Sequence, residues 1–137
     1  MTWHEDARVE KIVEVLQSKN AVDLLLMDLR TVSDAADYFI LCNGTSDLHV
    51  KTLAEEVKER LRLDDCIPWH IEGLKTRRWV LIDYVDIVVH IFRRETREYY
   101  GLERLWGDAE STVFAGTLEN AMETQSPDGD DFVFSRS

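Results

Sequence analysis

Cysteine is nearly absent from this chain: Cys42 and Cys66 are its only two in 137 residues. Two thiols supply neither a zinc framework nor the staples of a small secreted scaffold, and Cys42 sits in an apolar run where a buried thiol is ordinary. A reducing compartment is therefore expected. Long hydrophobic runs are missing too. No apolar stretch approaches the roughly 18 residues of a membrane span. The opening MTWHEDARVEK is too acidic for a transit peptide and lacks the apolar centre of a signal peptide, so a cytoplasmic location is expected. Basic residues are also in deficit, 16 against 27 acids, giving a formal net charge of −11. Phosphate backbones repel such a surface, which disfavours bulk nucleic-acid binding, whereas a basic protein partner would be attracted and steered in.

What is present suits one globular domain. Hydrophobic residues make up 45% and charged residues 31%, and a chain of this length buries enough surface to need no disulfide or metal. Thr2 and Glu5 have the spacing of a capping box. Behind them Val9, Ile12, Val13 and Leu16 recur at helical spacing, predicting an amphipathic helix over 3–19 closed by Asn20. AVDLLLMDL reads as a strand and YFILC, 38–42, as an interior strand. Ser46 is a natural N-cap, Asp47 complements the first turn, and Val50, Leu53, Ala54, Val57 and Leu61 form the stripe of a helix to about 62. A short strand at Trp69–Ile71 precedes WVLIDY and IVVHIF, two strands separated only by Val85 and Asp86, hence a hairpin. A further helical segment is interrupted at Gly101. From Asp108 onward seven acids face one base, Arg136. The division expected is a domain over 1–109 and an acidic, largely disordered tail over 110–137. A direct strand-to-strand junction argues against a purely parallel sheet. The fold class expected is therefore α/β, a mixed β-sheet flanked by helices.

Three places invite a chemical reading. Asp83, Asp86 and His90 lie close together in the hairpin, as metal ligands or an acid–base pair would, but their approach depends on register, and Asp-Tyr-Val-Asp is equally good turn chemistry. The segment NGTS before a helix could cradle a phosphate, as in a nucleotidyltransferase. It lacks the P-loop lysine, and the carboxylates that follow, Glu55, Glu56 and Glu59, fall on a helix instead of forming an Asp-x-Asp pair on the next strand to hold two magnesium ions. The aromatics Trp69, Trp79, Tyr84, Tyr99, Tyr100 and Trp106 gather in the second half. Trp79 and Tyr84 stand at strand ends beside charges, and Tyr100 beside Gly101, positions suited to anchoring a protein interface.

DYFILCNGTSDLHVKTLAEEV, EGLKTRRWVLIDYVDIVVHIF and ETREYYGLERLWGDA, in that order, resemble the ribosomal silencing factor family, also called Iojap, over about residues 5–109. The resemblance implies a nucleotidyltransferase-like sandwich without catalytic acids, hence no enzyme, no catalytic residue, no metal and no cofactor. It implies a translation repressor that binds the large ribosomal subunit through ribosomal protein L-fourteen and blocks joining with the small subunit, with a homodimer when free. Carried onto this sequence, the contact residues would be Trp79, Asp83, Tyr84, Tyr100 and Leu102. The aromatics would be the anchors and Asp83 the counter-charge to a basic surface, a part that Glu103, one residue past Leu102, could share. The chain departs from the family at Val85, where glycine is common. A β-branched residue resists positive φ, so an altered hairpin is expected there.

Overall fold

The computed structural model describes residues 6–114. Its first helix, α1 (Ala7–Ser18), begins later than the capping-box reading placed it. Asp6 is the N-cap, its carboxylate accepting from the Arg8 amide at 3.0 Å, and Thr2 and Glu5 lie outside the described residues. Lys19 is the C-cap, and Asn20 adopts the left-handed conformation (φ 65°) that asparagine tolerates after a helix. Strand β1 (Val22–Asp28) opens with a bulge between Val22 and Leu25, where Asp23 takes φ 51°. It pairs antiparallel with β2 (Tyr38–Asn43). Ser46 caps α2 (Asp47–Arg62), its hydroxyl accepting from the His49 amide at 3.0 Å.

The remaining strands are β3 (His70–Glu72), β4 (Trp79–Asp83) and β5 (Ile87–Phe92). After α3 (Arg94–Tyr100) and α4 (Leu102–Leu105) the chain returns to the sheet as β6 (Glu110–Val113). The six strands lie in the order β3-β4-β5-β2-β1-β6, with β2 and β5 parallel and every other pair antiparallel. The mixed sheet is thus as expected. Strand β6 corrects the boundary at 109, since Glu110–Val113 pairs with β1 instead of belonging to a tail; the rest of the expected tail, from residue 115, lies outside the described residues. No helix among the described residues is long and apolar enough to cross a membrane.

Alternation along each strand divides the apolar residues between two faces. Leu24, Leu26, Ile40, Cys42, Val80, Ile82, Val89 and Ile91 join the apolar stripes of α1 and α2 in the main core. Met27, Leu41, Val88 and Phe92 point the other way, where no long helix lies among the described residues. There Phe39, Trp79, Leu81, Leu102 and Trp106 pack around them while only partly buried. Both long helices therefore protect one face, and the other carries the exposed aromatic chemistry.

The hairpin turn keeps the geometry that a glycine would supply. Val85 takes φ 78° and is 62% exposed, held because its amide donates to the Asp83 carboxylate at 2.7 Å and Tyr84 N–H donates to the Ile87 carbonyl at 2.8 Å. The expectation of an altered hairpin is corrected: pairing of the two strands fixes the turn, and Val85 bears the strain. A left-handed conformation costs a β-branched residue roughly 1–2 kcal/mol, and glycine loses about 0.5–1 kcal/mol in chain entropy. Val85→Gly should therefore raise stability by roughly 0.5 kcal/mol or slightly more, read as a higher urea midpoint. A lower midpoint would mean that the Val85 side chain contributes more than its exposure indicates.

Candidate functional site: an open aromatic sheet face

Trp79 begins β4 and sits directly opposite Phe92 of β5. Its indole stacks on Phe92 (centroids 5.0 Å apart, 27° between planes) and meets the Tyr100 ring at 4.8 Å. Its Nε1–H donates to His90 Nδ1 at 3.1 Å. His90 in turn touches the Phe39 ring edge-on at 4.6 Å, and Phe39 meets Trp106 at 6.3 Å. A continuous aromatic band thus crosses β4, β5 and β2. Tyr100 caps one end and is 51% exposed. Rings in offset and edge contact gain beyond their buried area, so the band is rigid as well as apolar.

The position of Tyr100 depends on a buried cation. Arg97, one turn earlier in α3, is 8% exposed and donates from Nη1 to the Asp23 carbonyl at 2.7 Å and to Asn43 Oδ1 at 3.0 Å. Its Nε and Nη2 face Glu103 Oε2 at 3.1 and 3.0 Å. The bulge in β1 presents the Asp23 carbonyl, so the guanidinium ties α3, α4 and two strands together. Gly101 separates the two helices at φ 57°. A Cβ there would meet only the movable end of the Arg104 side chain, so it is the backbone angle that calls for glycine.

The candidate residues separate into distinct groups. Trp79, Tyr100 and Leu102 belong to the open face. Asp83 lies on that same face by alternation but four residues along β4 from Trp79, roughly 13 Å away at strand rise. Glu103 is engaged by Arg97, so its carboxylate is first a structural counter-ion. Tyr84 requires correction: it is only 5% exposed and packs into the main core beneath the turn, so its ring cannot meet a partner from the surface. Phe39, His90 and Arg97 were missed as members of the site. Phe39 had a signal, being at the alternate position of YFILC; a buried arginine leaves none in sequence.

The hairpin acids and His90 do not converge. Asp86 is taken by Arg8 of α1, at 3.0 and 2.7 Å, and that guanidinium holds its carboxyl below the usual range. His90 is buried under the aromatic band, and burial pushes its imidazole down to about 3. Among the described residues, no three His, Cys, Asp or Glu side chains are grouped to hold a metal ion. In the NGTS segment the Gly44 amide donates to the Phe92 carbonyl (2.8 Å) and the Thr45 amide to His49 Nδ1 (2.9 Å). These amides already have partners inside the chain. The three hairpin residues are engaged separately: Asp83 with the Val85 amide, Asp86 with Arg8 and His90 with the Trp79 indole.

Fold and site together define an α/β protein with its long helices on one sheet face and an aromatic band on the other. Comparison with known proteins then assigns the lineage. The family model described as "Ribosomal silencing factor during starvation" matches residues 2–132, and the chain belongs to that family. It is 44% identical over 91 residues to the ribosomal silencing factor RsfS of Bacillus subtilis, covering 66% of this chain and 77% of that one. It is 36% identical over 106 residues to the protein of that name from Halalkalibacterium halodurans, covering 77% and 91%. A mouse protein named mitochondrial assembly of ribosomal large subunit protein 1 is 30% identical over 101 residues, 72% of this chain and 44% of that one. A crystal structure from Chromobacterium violaceum superposes with a TM-score of 0.72 at 28% identity, covering 85% of this chain and 95% of the other.

Proposed function

We propose that this chain is a ribosome-associated translation repressor that acts by occupying a surface. Its partner is the large ribosomal subunit, engaged through ribosomal protein L-fourteen, and its presence there blocks joining with the small subunit in the cytoplasm. Catalysis has no part in this reading. The observation that carries it is the aromatic face itself, with Tyr100 half exposed over Trp79. Large aromatics beside charge are the residue types that supply binding energy once water is excluded. Membership of the silencing-factor family and the large-subunit name of the mouse relative support the choice of partner. A net charge of −11 suits a cationic protein surface, and Asp83, standing apart from the rings, contributes at the rim. A second copy of the chain would compete for the same face, making free dimer and subunit-bound monomer alternatives; large subunits should therefore dissociate a dimer in a sizing experiment.

Tyr100→Ala is the cleanest test, because Tyr100 is half exposed and its side chain makes no hydrogen bond among the described residues. An anchoring aromatic is worth about 2 kcal/mol, so affinity for purified large subunits should fall roughly thirty-fold in sedimentation titrations. Small subunits should not bind either protein. Undiminished co-sedimentation of the folded variant would remove this face from the interface. Heat released by a nucleotide with magnesium, lost on substitution at Gly44–Ser46, would instead favour an enzyme.

A further inference from the structure

We infer that His90 is a positioning residue for the Trp79 anchor, its Nδ1 fixing the one indole orientation that the open face presents to a partner. The inference rests on the proposed role of that face. Stacking on Phe92 sets the plane of the indole, with Tyr100 in tilted contact, but tolerates rotation and sliding within it, whereas the Nε1–H···Nδ1 bond at 3.1 Å is directional and selects one setting. Trp79 as a whole is only partly buried, but its N–H meets a buried ring, so the bond both satisfies the donor and fixes the setting of the indole.

The acceptor role has a definite cost. A neutral imidazole that accepts at Nδ1 carries its proton on Nε2, and Nε2 is buried with no hydrogen-bond partner among the described residues. A buried unsatisfied donor is unfavourable. The residues two positions to either side on the same strand face, Val88 and Phe92, are apolar, which is what packing alone would select. His90 has a ring at 4.6 Å on its Phe39 side and Phe92 stacked beyond at 6.1 Å, so the imidazole itself has no freedom to turn. A costly acceptor aimed at a partly buried ring of the open face is explained by what it does to that ring.

The test compares His90→Leu with His90→Asn in the full chain, since Asn places an amide oxygen near the position of Nδ1. Three quantities are read: urea stability, solvent exchange of the Trp79 indole proton (its resonance assigned through Trp79→Phe), and affinity for purified large subunits. His90→Leu should raise the urea midpoint, speed indole exchange, and weaken binding about ten-fold, an orientational loss smaller than removal of an anchor. His90→Asn should be less stable than the parent yet keep slow exchange and affinity within about three-fold, a rescue that opposes the stability order. Slow indole exchange in His90→Leu, or affinity that simply follows stability across the variants, would overturn the inference. If the parent protein does not bind large subunits, the proposed partner fails, while indole exchange still decides whether His90 orients Trp79.

Discussion

Arg97→Ala is expected to lower the unfolding free energy by roughly 3 kcal/mol or more, the usual consequence of removing one member of a buried charged network. Arg97 is 8% exposed and its loss removes the partner of the Asp23 carbonyl, the Asn43 amide oxygen and the Glu103 carboxylate together. Asn43, 4% exposed, has been desolvated for a bond it would no longer make, while Glu103 keeps partial contact with solvent. The damage should also reach the proposed interface, because Arg97 holds α3 to the bulge of β1, and α3 ends at Tyr100. Urea unfolding measures the first effect and subunit titration the second. Adding Glu103→Gln to Arg97→Ala should recover part of the loss, since the orphaned acid is then neutral. A single variant within about 0.5 kcal/mol of the parent, the range of ordinary surface substitutions, would show that water satisfies these groups and that the network ties nothing together.

Acid should destabilise the protein well before its carboxylates titrate. The His90 imidazole is held down at about 3 by burial, against about 6.5 in an unfolded chain. Between those values the unfolded state binds one more proton than the folded state, so stability falls as pH falls, by up to about 1.4 kcal/mol per pH unit. Above pH 6.5 the contribution is fully present, and by pH 3 it has been lost. Lower still, protonation of Asp86 and Asp28, both held below their usual range by arginine partners, removes more. Urea midpoints at pH 7, 6, 5 and 4 give the slope, and His90→Leu should flatten it over that interval. An equally steep slope in the variant would place the acid sensitivity elsewhere.

Much of the fold was legible because the information is local. The stripe from Val50 to Leu61 with Ser46 before it specifies α2, since spacing and a capping hydroxyl act within one turn. The same holds for the hairpin, where Asp83 bonds the amide two residues on. The start of α1 was misplaced because Asp6 and Thr2 both offer N-cap oxygens, and sequence does not rank them. The strand β6 was invisible for a different reason: ESTV has little β signal of its own and is held by pairing with β1, a partner more than eighty positions away.

For the site the division is sharper. Sequence alone determined that this is a markedly acidic α/β chain without a P-loop or paired metal-binding aspartates, and that its aromatics gather near Trp79 and Tyr100. Those are matters of composition, spacing and residue order. The tertiary structure decided which rings reach solvent: it buried Tyr84 beneath the turn and left Tyr100 half open. It also committed Glu103 to Arg97 and set His90 under Trp79. The physical reason is that side-chain alternation gives each strand residue one of two faces, but only the packing of α1 and α2 against one of them determines which face these helices seal.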